Sequence, residues 1–125
     1  MKVLLTGHNG YIGAVMGPRL LAAGHDVESL DSMFFEDCVF GESIPALNSP
    51  PKDIRDVTED DLKGFDAIIH LAALSNDPLS DLDTRLTYEI NHEATIRLAK
   101  IAKEVGVSRF LYSSSCSMYG ASAAG

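Results

Sequence analysis

The chain has 125 residues, and its acidic side chains outnumber the basic ones enough to leave a net charge of −8. That balance argues against a nucleic-acid partner, because phosphate backbones need a basic face, although one locally held anion is compatible with it. Hydrophobic residues make up 46% and charged residues 22%, as in a folded protein, and the length suits one domain with one core.

The longest uncharged apolar run, 67–74, is far short of the ~20 residues of a membrane helix. Met1 to Leu5 gives way to polar Thr6, so no signal-peptide core is expected. Cys38 and Cys116 have neither metal-ligand spacing nor the density of a disulfide scaffold, and no metal is expected. A reduced, cytoplasmic protein is the simplest expectation.

Lys2 to Thr6 is a short apolar run that ends in a Gly-rich turn and reads as a buried strand. Tyr11 to Ala23 follows with helical spacing of Ile12, Val15, Met16, Leu20 and Leu21; Pro18 predicts a bend and Gly24 a stop. His25 to Leu30 reads as a second strand closed by Asp31. Ser32 to Pro51 has no period and reads as a long loop. Lys52 to Val57 is expected to carry a short third strand. Thr58 to Lys63, a cap-like Thr followed by acids, is expected to form a short helix. Phe65 to Ala72 is a strand. Asp83 to Val105 is a long helix with Ile90, Ala94, Leu98, Ile101 and Val105 on one stripe. Arg109 to Ser114 is the last strand.

Strands alternating with helices need crossover connections, hence a parallel sheet covered on both faces. The expected architecture is α/β: a Rossmann-type doubly wound parallel sheet of five strands in the order 3-2-1-4-5.

The strongest local signal is Thr6-Gly7-His8-Asn9-Gly10-Tyr11-Ile12-Gly13, a turn between the first strand and the first helix. Gly7 suits the tight turn, Gly10 leaves room for a pyrophosphate, and Gly13 lets the helix approach the strand. Asn9, Tyr11 and Ile12 belong to the same loop, whose free amides and helix dipole attract a diphosphate. Asp31 lies 18 residues after Gly13, where a carboxylate accepts hydrogen bonds from an adenosine ribose. A carboxylate repels a 2′-phosphate, and no Arg or Lys follows it immediately, which favours NAD over NADP.

With these residues the chain resembles the extended short-chain dehydrogenase/reductase family, the NAD-dependent nucleotide-sugar epimerases and dehydratases. Beyond the turn and Asp31, the resemblance rests on Asp53-Ile54-Arg55-Asp56, on His70-Leu71-Ala72-Ala73 and on Ser113-Ser114-Ser115-Cys116-Ser117-Met118-Tyr119-Gly120. It implies that Asp53 and Ile54 meet the adenine and that Leu71, Ala72 and Ala73 leave room for the cofactor. It also implies that Ser113 lies on the cofactor side and that Ser115 is the catalytic serine, bonded to the sugar oxygen. Tyr88 to Thr95 resembles the family's Y-x-x-N-x-x-G-T helix, with Ala94 in place of Gly, which implies that Asn91 helps to hold the active site. His70 reads as a core-edge histidine rather than a base, and Cys116 as a free thiol.

The family's proton-transferring Tyr-x-x-x-Lys pair does not occur. Four residues after Tyr11, Tyr88, Tyr112 and Tyr119 stand Val15, His92, Cys116 and Ala123. The resemblance therefore implies the N-terminal, NAD-binding portion (residues 1–125) of a longer enzyme, nearly inert alone, with the substrate domain outside this chain. The dehydratases' acidic pair after the catalytic residue is replaced by Cys116 and Ser117, which points toward transient hydride transfer of the epimerase type. A net dehydrogenase, a dehydratase and a non-catalytic NAD-binding module are the alternatives. A homodimer through helix 83–105 and a nucleotide-sugar substrate for the intact enzyme are further implications.

Overall fold

The computed structural model describes residues 1–35, 47, 49–75, 83–115 and 119–120. Their elements are β1 (Lys2–Thr6), α1 (Gly13–Ala22), β2 (Asp26–Leu30), a 3₁₀ turn (Ile54–Asp56), β3 (Ala67–His70), α2 (Thr84–Tyr88), a π-helical turn (Glu89–Ala94), α3 (Thr95–Glu104) and β4 (Arg109–Tyr112). The strands are parallel, in the spatial order β2-β1-β3-β4.

Alternation along the central strands sends successive side chains to opposite faces. Leu4 and Ile68 join a core with Ile90, Leu98 and Ala102, on the side of the π turn and α3. Leu5 and Val27 pack instead with Leu47 and, on α1, Met16, Leu20 and Leu21. Both faces of β1 and β3 are thus covered, as a parallel sheet requires, while β4 stays largely exposed. This is a Rossmann-like arrangement.

The expected third strand, over 52–57, is not formed, so the order 3-2-1-4-5 becomes an order of four strands, and the expected fifth strand is β4. Segment 52–57 donates one ladder-like bond, from Lys52 N to Asp31 O at 2.8 Å. It then curls, because the Asp53 carboxylate accepts from the amide of Arg55 at 2.8 Å and Asp53 O from that of Asp56 at 3.0 Å. A side chain that closes its own turn competes with sheet pairing. The carbonyls of Arg55 and Val57 accept from the Arg97 guanidinium on α3, which ties the turn to the helix instead of to β2.

Segment 58–63 is a single turn, not the expected helix: Leu62 N and Lys63 N both donate to Glu59 O. Thr58 donates where it was expected to accept, giving its amide and hydroxyl to Asp61 Oδ2 at 2.7 Å each. That is the acidic half of a capping box without the helix to follow.

The helix expected from Tyr11 starts at Gly13, and Pro18 lies inside it, where it withholds one helical hydrogen bond. The helix expected over 83–105 is capped by Asp83, which accepts from the amide of Leu86 at 2.9 Å. It is not uniform, since the π turn interrupts it at Asn91.

Candidate functional site

The chain passes from β1 to its neighbour β2 on one side and then crosses back over β1 to β3 on the other, so a crevice opens at the carboxyl ends of these strands. It measures about 890 Å³ and is lined by the first turn, the end of β2, residues 52–54, 71–75 and 90–91, and the segment after β4. Gly7, Asn9, Gly10, Tyr11, Ile12, Gly13, Asp31, Asp53, Ile54, Leu71, Ala72, Ala73, Asn91, Ser113 and Ser115 all line it. Cys116, Ser117 and Met118, and most of the loop 32–51, lie outside the described residues.

The turn is built by its glycines. Gly7 has φ +74°, and a Cβ there would meet the Ala72 amide nitrogen at 2.8 Å. Its own amide donates to Leu30 O at 2.9 Å, closing the turn over β2. A Cβ on Gly13 would lie 2.2 Å from Gly7 O, so the helix can start here only without a side chain. At Gly10 the nearest atom to such a Cβ is Gly7 O at 3.4 Å, an ordinary contact. The protein itself therefore does not demand glycine at position 10; the open crevice beside it is what a side chain would narrow. Among the described residues no acceptor takes the amides of Tyr11, Ile12 and Gly13, the donors that a helix N-terminus offers to an anion.

Asp31 closes the far side. Its Oδ2 accepts from the Asn9 amide at 2.9 Å, and its Oδ1 from the Met33 amide at 2.8 Å. The second bond bends the chain sharply, with Met33 at φ +61°, a conformation costly for a side-chain-bearing residue. Each oxygen keeps a lone pair for another donor. The side-chain nitrogen of Asn9 is buried without a partner, an orphaned donor in the lining. A glycine cradle, unpartnered amides and a carboxylate with spare acceptor capacity fit an adenine dinucleotide.

Asp53 and Ile54 sit at the same end, Ile54 buried. Arg55 returns to Asp53 with two side-chain bonds at 3.0 and 2.7 Å and holds its carboxyl below the usual carboxylate range. With three donors already on it, the carboxylate has about one acceptor position left.

Asn91, in the π turn, grips the segment after β3. Its Oδ1 accepts from Leu74 N at 2.8 Å, and its Nδ2 donates to Leu74 O at 2.9 Å. The exposed Ser113 and Ser115 lie in the same wall, past the end of β4.

His70 is a structural group. It is 1% exposed, with Nδ1 2.7 Å from Thr6 Oγ1 and Nε2 2.8 Å from Thr95 Oγ1. Thr6 Oγ1 already accepts from the amides of Leu71 and Ala72, so its proton goes to Nδ1 and Nε2 carries the ring proton. Burial pushes the imidazole down to about 4.

Phe34, Phe35, Lys52 and Tyr112 are among the lining residues that sequence reasoning did not single out. The adjacent phenylalanines just beyond Asp31 were a readable signal, because exposed aromatics beside a polar site are unusual. Lys52 was not readable, because its approach to Asp31 depends on the unpredicted course of 49–53. The Lys52 ammonium is held by both oxygens of Asp61 at 2.6 Å.

Residues 3–125 match the family model described as the NAD dependent epimerase/dehydratase family. A UDP-glucose 4-epimerase of Corynebacterium glutamicum is 32% identical over 96% of this chain, and the chain spans 36% of that relative's length. A UDP-glucose 4-epimerase of Klebsiella pneumoniae is 31% identical over 96% of this chain and 93% of its own length. Among solved structures, MoeE5 in complex with UDP-glucose and NAD superimposes with a TM-score of 0.82 at 28% identity, over 98% of this chain and 39% of its own. The chain thus spans little more than a third of several of the proteins that it matches.

Proposed function

The chain belongs to the NAD dependent epimerase/dehydratase family, and from that premise we propose that residues 1–125 form the NAD-binding domain of an epimerase-type oxidoreductase acting on a nucleotide-linked sugar. The supporting observation is the cleft, with the glycine turn and its unpartnered amides at one end and Asp31 at the other.

The chemistry that NAD supplies when bound is reversible hydride acceptance at an alcohol carbon. The chain's own residues bind and orient. The amides of 11–13 and the small Gly10 receive the diphosphate, Asp31 accepts from ribose hydroxyls, and Ile54 covers the adenine with Asp53 at its edge. Ser115 holds the sugar oxygen, and Ser113 and 71–73 bound the reacting end. Asn91 keeps Leu74, and with it that wall, in place. No residue of this chain is assigned as proton acceptor, because Tyr-x-x-x-Lys does not occur in it. Cys116 and Ser117 stand where the dehydratases carry acids, which favours the epimerase reading.

The same reading extends to assembly. Tyr88 and Ile96 are exposed on the helical segment 83–105, the surface proposed for a homodimer.

Calorimetric titration of the chain with NAD tests the proposal. One saturable site is expected, with binding abolished or weakened at least tenfold in Gly10→Ala; a flat titration would refute it.

A further inference from the structure

His8 lies inside the phosphate-binding turn and has no part in the scheme above. It is 7% exposed, and its Nδ1 is buried without a hydrogen-bond partner, an expensive arrangement for a polar atom. That nitrogen lies 3.9 Å from Asp31 Oδ2, the oxygen that already accepts from the Asn9 amide. We propose that His8 is a specificity-determining positioning residue, whose protonation sets how strongly Asp31 distinguishes a free ribose 2′-hydroxyl from a 2′-phosphate.

The inference rests on the dinucleotide reading of the cleft and concerns regulation of the same site. With neutral His8, Asp31 keeps its full charge and spare lone pairs, so it accepts from ribose hydroxyls and repels a phosphate. A protonated His8 turns Nδ1–H toward Oδ2. That oxygen then serves Asn9 and His8 together, its acceptor capacity is spent, and its charge is compensated. The grip on a 2′-hydroxyl weakens while the repulsion of a 2′-phosphate falls.

Burial holds the imidazole below the ordinary histidine range, against the pull of Asp31. Asp31, at the end of β2, is the charged group acting on it among the described residues. α1, packed on His8 through Gly13, begins without an acid. The β1 neighbour Thr6 is uncharged, and its hydroxyl is engaged with His70.

The test measures the dissociation constants of NAD and NADP for the 125-residue chain between about pH 8 and pH 5, beside His8→Gln. In the native chain the ratio of the NADP to the NAD constant is expected to fall about fivefold or more on acidification. In His8→Gln only the smaller change from titration of the ligand's own phosphate should remain. Equal pH dependence in both proteins overturns the inference. A second readout needs no variant: by reciprocity the His8 imidazole, followed by NMR, must titrate at higher pH in the NADP complex than in the NAD complex. Identical titration in the two complexes also overturns it. Absence of binding by either dinucleotide at every pH refutes the dinucleotide reading itself, a result distinct from NAD binding with an unmoved ratio.

Discussion

Gly10 and Gly13 are the same residue type three positions apart, but the structure gives them different tasks. At Gly13 a methyl group would collide with the backbone oxygen of Gly7, which has no room to move away. Gly13→Ala should therefore destabilise the fold by about 1–3 kcal/mol or more, seen as a lower midpoint in urea. At Gly10 the same methyl group makes an ordinary contact and faces the cleft. Gly10→Ala should keep its urea midpoint and lose its dinucleotide. If both substitutions act on stability alike, the assignment of Gly10 to the ligand is wrong. Asp31 adds a charge argument. Charge-assisted hydrogen bonds are worth about 1.5–3 kcal/mol each, so Asp31→Asn should weaken NAD at least tenfold by calorimetry and NADP less. Equal losses for both ligands would remove Asp31 from the ribose.

Elements were legible where one pattern dominated, and illegible where a side chain redirected the backbone. The apolar runs of β1 and β3, and the glycine turn between β1 and α1, carry their fold in composition and spacing alone. Segment 52–57 looked like a strand, but Asp53 closes a turn on Arg55, and nothing in the run announces that choice over pairing with β2. The π turn was half legible. The deeply buried residues Ile90, Ala94, Leu98 and Ala102 recur at steps of four. At about 100° per residue, each such step overshoots a full turn of an α-helix by about 40°, so the stripe would drift off the core. A wider turn at Glu89–Ala94 takes up part of that drift. It also sets Asn91 against Leu74, a link between elements that spacing alone cannot reveal. Asn91→Ala removes both bonds, each worth about 0.5–1.5 kcal/mol. Hydrogen exchange at the Leu74 amide should accelerate in that variant while amides of β1 stay protected. An unchanged rate at Leu74 would show that the grip does not hold this wall.

The whole molecule meets pH chiefly through His70, the more deeply buried of two buried histidines among the described residues. His70 joins β1 through Thr6, β3 through its own backbone and α3 through Thr95, so its charge state bears on the packing of one sheet face. Burial sets it at about 4 in the folded chain against 6.5 as the ordinary value. Between those values the unfolded chain binds more protons than the folded one, so stability rises with pH across this window and falls as acid is added. The loss attributable to His70 begins as pH drops below about 6.5, grows to about 3 kcal/mol near pH 4, and then levels off. His8, also held low by burial, acts with the same sign. The carboxyl of Asp53 is held low by Arg55. That of Asp61 is held low by Lys52 and Thr58 against the opposing effect of its own burial. Both stabilise the fold above the ordinary carboxylate range and release that contribution only in stronger acid. Urea unfolding at a series of pH values from about 7 to 4.5 should show a steadily falling midpoint, with a shallower fall in His70→Gln. Proton NMR of the native chain should show His70 untitrated until close to pH 4. A His70 signal that titrates near pH 6.5, or a midpoint level across the series, would mean that this ring is not sealed between the strands and the helix as the structure has it.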